Sequence, residues 1–214
     1  RRSAGQIDAV DFMTFDVQED SDHPDIQNEG LQYGGKRFNA LCKLADKQYG
    51  DKFNTDVAFE RPVFGKPELI AAHDSLAFAG ISPPVILVYP VETHIAEKLH
   101  AYTMPRARPN ARVKDLPDLA LLGQLGRINS ERLKTAIDKT FEHRYTHLVP
   151  RQLPAPPQDW ERPYTQLQMD NDFPWKTITV TYEAARKFLD PLLDETAVGC
   201  TWDPESWSWV NATM

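Results

Sequence analysis

Polar and apolar side chains alternate over Asp11-Phe12-Met13-Thr14-Phe15-Asp16-Val17, a period of two that predicts a half-buried strand. Residues 18–28 are acidic and turn-rich, and Asp20-Ser21-Asp22, although spaced like paired metal carboxylates, reads as loop ahead of Pro24. Over residues 36–44, Phe38, Ala40, Cys42 and Leu44 fall on one side of a second strand; Phe53, Thr55, Val57 and Phe59 repeat the pattern on a third. Residues 46–52 are expected to close these two strands into an antiparallel hairpin, with Asn54, Asp56 and Ala58 on the face opposite the phenylalanines. Gly80-Ile81-Ser82-Pro83-Pro84 then breaks the chain. The apolar run Val85-Ile86-Leu87-Val88-Tyr89 predicts a buried strand stopped by Pro90.

From here the period changes to that of helices. Residues 91–102 put Ile95, Leu99 and Tyr102 on one stripe and His94, Lys98 and Ala101 on a neighbouring one, so Lys98 falls at the boundary between packed and open faces. A second helix is expected over 113–125, packed through Leu116, Leu119, Ala120 and Leu122 and loosened at its end by Gly123 and Gly126. Asn129 or Ser130 caps a third, to His143, with Leu133, Ile137 and Phe141 at four-residue spacing. Five prolines between 150 and 163 predict a stiff extended connection; 178–193 reads as a further helix ended near Pro191, and the tail carries Trp202, Trp207 and Trp209. Strands first and helices second give an α+β protein with a helical C-terminal half.

Composition narrows the class. The 214 residues are 41% hydrophobic and 26% charged, as in a globular chain of one domain or one domain with an appendage. Twenty-four basic against 31 acidic residues, a net charge of -7, argue against coating nucleic acid by bulk attraction but leave room for a local basic site. No apolar run is long enough for a membrane helix and no signal-peptide core is present, so no membrane association and a cytoplasmic location are expected. Cys42 and Cys200 read as two reduced thiols. The start Arg1-Arg2-Ser3, with no Met before Met13, reads as a beginning partway through a longer sequence.

The densest polar cluster is Glu97-Lys98 on one helix with Arg106, Arg108, Arg112, Lys114, Asp115 and Asp118 on and before the next. Such fixed positive charge suits a triphosphate, whose oxygens need charge-assisted donors, but it also suits a solvated helix-loop-helix with ordinary surface pairs. Asp115 and Asp118, three apart, present two carboxylates on one helical face or simply complement the helix dipole. Asp56, on a strand beside Thr55, Val57 and Phe59, requires solvent, a cation or a metal, because a buried unpaired carboxylate is costly. The pairs His94/His100 and His143/His147 lack zinc spacing and read as structural or surface histidines. Gly-x-Ser-x-Gly, phosphate-loop and Cys-x-x-Cys motifs are absent.

The run Tyr89-Pro90-Val91-Glu92-Thr93-His94-Ile95-Ala96-Glu97-Lys98-Leu99-His100-Ala101, followed by Arg108-Pro109-Asn110-Ala111-Arg112-Val113-Lys114-Asp115-Leu116-Pro117-Asp118-Leu119, resembles the abortive-infection AbiEii/AbiGii-type nucleotidyltransferase toxins of type IV toxin–antitoxin systems. Gly34-Gly35-Lys36-Arg37-Phe38 and Phe53-Asn54-Thr55-Asp56-Val57-Ala58-Phe59 resemble the same family's central hairpin. The resemblance implies a partial polymerase-β-like nucleotidyltransferase sheet over 1–89, then a helical domain over 90–214. It implies transfer of a nucleotide from NTP, with Mg2+, to an acceptor such as tRNA, in phage defence, opposite a cognate antitoxin. Carried over, Asp56 is a strand-borne metal and catalytic carboxylate near the acceptor. Lys98 contacts the triphosphate, Arg112 and Lys114 add charge there, and Asp115 or Asp118 completes the second catalytic segment.

The family's first motif, Gly-Ser followed by Asp-x-Asp, is not found before Asp11, which implies a catalytically incomplete chain without its principal metal site. The rival expectation is a truncated, non-catalytic protein-binding module in which Trp202, Trp207 and Trp209 form the contact patch rather than anchoring the tail. A homodimer, or a rearranged N-terminus, is expected to cover the open sheet edge.

Overall fold

The computed structural model describes residues 13–25, 34–59, 63–75, 77–80, 82–107 and 110–211. The architecture is α+β, with antiparallel strands in the N-terminal half and helices mostly in the C-terminal half. Two compact units make up the chain, residues 1–62 and 63–214.

In the first unit, β1 (Met13–Glu19) and β2 (Gly35–Leu44) run antiparallel, and β2 also receives the short β3 (Lys47–Gln48) and β4 (Phe53–Ala58). Asp11 and Phe12 of the expected first strand lie outside the described residues. In β1, Met13, Phe15 and Val17 are half-buried and Thr14, Asp16 and Gln18 exposed, the alternation expected. The edge of Phe15 meets Phe53 across the sheet, with centroids 6.4 Å apart. The link between β2 and β4 differs from the expected 46–52 loop: the chain turns at once through Ala45 and Asp46, both at positive φ, runs back along β2 as β3, and only then reaches β4. Asp20 accepts from the backbone N–H groups of Asp22 and His23, so Asp20-Ser21-Asp22 is a turn, and residues 26–28 lie outside the described part.

The second unit opens with a two-stranded antiparallel ribbon, β5 (Glu68–Ala71) and β6 (Val85–Val88). Here the expectation of a buried strand fails: Val85 and Leu87 are 63% and 66% exposed. A short apolar run shows affinity for a covered position but not whether another layer covers it. The helices α1 (Val91–Thr103), α2 (Asp115–Leu122), α3 (Ser130–Arg144), α4 (Glu161–Asn171) and α5 (Ile178–Leu193) follow. Ile95, Leu99, Leu116, Leu119, Leu133, Ile137, Phe188 and Leu189 form their common core. No helix among the described residues is long and apolar enough to cross a membrane.

Side-chain caps start two of the five helices named above. Asn129 accepts from the Arg132 N–H and Thr177 from that of Val180, which start α3 and α5. Helix α2 is shorter than the expected 113–125, because residues 110–114 are held in a turn and the chain leaves the helix at Gly123. The extended connection over 150–163 is also corrected, since α4 begins at Glu161. Pro163 lies in its first turn, where a missing N–H costs nothing. Helix α5 runs two residues beyond Pro191.

The tail forms a hairpin of β8 (Cys200–Asp203) and β9 (Ser208–Asn211), which pairs with the short β7 (Ile128–Asn129). Its tryptophans are anchors: Trp202, wholly buried, donates to the Gly123 carbonyl at 2.7 Å, Trp207 to that of Ala184 and Trp209 to that of Phe188. Gly123 permits this approach, because a Cβ there would meet Phe188 and Trp207 at 3.3 Å and the Ala120 carbonyl at 3.2 Å.

Candidate functional site

Lys98 leaves α1 beside its buried stripe and meets the first turn of α2. Its ammonium donates to Asp115 Oδ1 at 3.0 Å and to Asp118 Oδ2 at 2.6 Å, while the Arg112 guanidinium lies 3.5 Å from Asp115 Oδ2. The two carboxylates share one helical face but not one environment. The Asp115 side chain is 3% exposed and that of Asp118 37%. Burial works against the ammonium of Lys98, but hydrogen bonds and charge from Asp118 and Asp115 prevail and hold its pKa above the ordinary lysine value. Lys98 is therefore a permanent cation in a partly desolvated position.

The approach to α2 is set by Asn110. Its side chain accepts from the Arg112 N–H and donates to the Tyr102 carbonyl, while its own carbonyl accepts from Trp160. In sequence Asn110 stands only within a motif; its positioning role shows in the fold, where Trp160, 50 residues on, joins the nearby Tyr102 and Arg112. Lys114, exposed, stands just before α2 and its carbonyl accepts the Asp118 N–H. Arg106 donates to the Ala101 carbonyl at the end of α1, and Arg108 lies outside the described residues. Glu97 turns away from its neighbour Lys98 and pairs with Arg144 of α3, both nearly buried. His94, Lys98 and Asp118 line a cleft of about 390 Å³ together with Leu121, Leu122 and Leu125.

Asp56 lies on β4, in the first unit. Register places it opposite Arg37 of β2, which donates to both carboxylate oxygens, at 2.7 and 2.9 Å. The hydrogen bonds from Arg37 lower the Asp56 pKa. The cation that this carboxylate requires is thus supplied by the neighbouring strand. No group of three His, Cys, Asp or Glu residues that could hold a metal ion occurs among the described residues. With both Asp56 oxygens engaged by Arg37, these residues do not by themselves form a magnesium site.

His100 of α1 and His147, just past the end of α3, act structurally. The buried His100 shares a hydrogen bond with Thr146 and packs edge-on against Phe141, and His147 bonds to Thr103 and Thr146. Burial, with His147, Arg144 and Arg106 nearby, depresses the His100 pKa from 6.5 to about 4. Its unfolded form takes up a proton first, so the neutral histidine's contribution is present above pH 6.5 and is lost as pH falls toward 4. Urea unfolding at pH 7 and pH 5 should show a loss of about 1–2 kcal/mol, absent in His100→Gln. Equal dependence in that variant would assign the effect to other groups.

The fold and cluster define an α+β protein whose helical half fixes two cations and two carboxylates in the first turns around α2. The model of the Nucleotidyl transferase AbiEii toxin family, Type IV TA system, matches residues 4–208, and the chain belongs to that family. No curated protein matches the chain.

Proposed function

We propose that this chain handles the nucleotide in a toxin nucleotidyltransferase that moves a nucleotide from NTP to an RNA acceptor such as tRNA. The observation that carries the reading is the partly buried Lys98–Asp115–Asp118 cluster with Arg112 at its edge. Lys98, Arg112 and Lys114 against Asp115 and Asp118 leave one net positive charge, so the cluster offers donors to phosphate oxygens. Asp115, buried between two cations, is the positioning residue that keeps them in place. Asp118 is the carboxylate left accessible to a ligand, and Lys98 binds the triphosphate as a fixed positive charge.

In this reading Asp56 is the strand-borne carboxylate of the family motif, near the acceptor, and Mg2+ is the metal of the family chemistry. Both assignments rest on the family. A cognate antitoxin as partner, the cytoplasm as place of action and phage defence as role come from the same source. The rival reading as a protein-binding module loses its main support, because Trp202 is buried and all three tail indoles are hydrogen-bonded within the helical unit.

Calorimetry with ATP and the other nucleoside triphosphates tests the proposal. Weak, magnesium-insensitive binding is expected, reduced about 10- to 100-fold in Lys98→Met, the loss of a charge-assisted hydrogen bond. The exposed Lys114→Gln, which leaves the Lys98 pairs intact, should cost a smaller factor. Tight NTP binding unaffected by either change would overturn the assignment.

A further inference from the structure

The polar end of the cleft beside Lys98 is explained by phosphate, but half of its lining is leucine. Leu121, half-buried, and Leu125, 71% exposed, stand four residues apart where α2 gives way to a turn, with Leu122 buried beneath. The turn is held in shape: the Gln124 N–H donates to the Leu121 carbonyl, that of Leu125 to Leu122, and the Gly123 carbonyl accepts from the buried Trp202. A single exposed leucine is ordinary on a protein surface and means nothing alone. Here the leucine lies on a pinned turn and shares a cleft with Lys98 and Asp118.

We infer that Leu121 and Leu125 form the seat of the nucleobase of the NTP, with the triphosphate running toward Lys98, Arg112 and Lys114. The inference rests on the reading of this cluster as the triphosphate site. With the triphosphate placed at Lys98, Arg112 and Lys114, the leucine end of the cleft suits a flat, weakly hydrated group, which a nucleoside triphosphate carries and inorganic polyphosphate does not. Contact through aliphatic side chains covers the face of a base without reading its edge, so the four NTPs should bind within a few-fold of one another. The terminal base of an RNA acceptor shares this chemistry and is the alternative source that the experiment must separate.

The test compares ATP, tripolyphosphate and a short oligoribonucleotide lacking a triphosphate, on the full chain and its Leu125→Gln, Leu125→Met and Lys98→Met variants. Leu125→Gln should weaken ATP about tenfold, the loss of one apolar contact, and leave tripolyphosphate within twofold. Leu125→Met should restore most of the ATP affinity. If Leu125→Gln affects both ligands equally, or neither, while Lys98→Met weakens both, the nucleobase seat is wrong and the triphosphate reading stands. Weaker binding of the oligoribonucleotide alone would assign the seat to the acceptor and overturn the NTP assignment. Binding of ATP and tripolyphosphate that ignores Lys98 would overturn the triphosphate reading and the seat with it.

Discussion

Glu97→Ala is expected to destabilise the protein by about 3–5 kcal/mol, because it removes the carboxylate paired with Arg144 while that guanidinium stays nearly buried. The pair joins α1 to α3 across 47 positions of chain, and the side chains of Arg144 and Glu97 are only 7% and 11% exposed. Most of the cost comes from removing the carboxylate that faces a nearly buried guanidinium. The net worth of the pair is smaller, since taking both groups out of water offsets much of their attraction. The double replacement Glu97→Met with Arg144→Met should therefore recover a large part of the loss. Urea unfolding of Glu97→Met, Arg144→Met and the double variant closes the cycle. A Glu97→Ala midpoint equal to that of the wild type would show that Arg144 is held by its other surroundings.

Trp202→Ala should cost about 3–5 kcal/mol as well, the range for emptying a large aromatic from a core. Its ring lies 4.8 Å from Phe188, 5.1 Å from Trp207 and 5.6 Å from Trp209, so no small shift of these neighbours fills the space. The Gly123 carbonyl also loses its donor. For a unit of this size the melting temperature should fall by roughly 6–20 °C. Trp202→Phe, which keeps most of the volume and loses the N–H, should fall between the two. Thermal unfolding followed by circular dichroism reads all three proteins. A Trp202→Ala shift of only a degree or two would mean that the tail hairpin is dispensable to the helical unit.

The local rules of the chain transfer well to the structure where the partners are near in sequence. Asn129 and the 3.6-residue stripe of Leu133, Ile137 and Phe141 announce α3, and Ile95, Leu99 and Tyr102 are buried as their spacing requires. The Lys98, Arg112, Asp115 and Asp118 group was legible because two successive helices and a short link bring it together. The link also misled. Asp115 and Asp118 look equivalent at a spacing of three, yet one is buried between Lys98 and Arg112 and the other lines the cleft.

Elsewhere the deciding partner lies far away along the chain. Asp56 predicted a need for solvent, a cation or a metal, and that Arg37 meets it depends on strand register 19 residues distant. Glu97 looks like part of the site in sequence and belongs instead to a buried pair with α3. Prolines between 150 and 163 hid α4 altogether, because a proline in a first helical turn resembles a helix breaker until the turn is seen.

The sequence by itself determined that strands come first and helices second, the cap and apolar stripe of α3, and the charged residues that α1, α2 and their link bring together. These depend on backbone preference and on side chains a few positions apart. Only the tertiary structure decided which charges meet, which of two aspartates is buried, that the run at Val85 remains exposed, and that the tail tryptophans are anchors. Each of those outcomes turns on whether a distant part of the chain displaces water from the group concerned, and no local pattern contains that information.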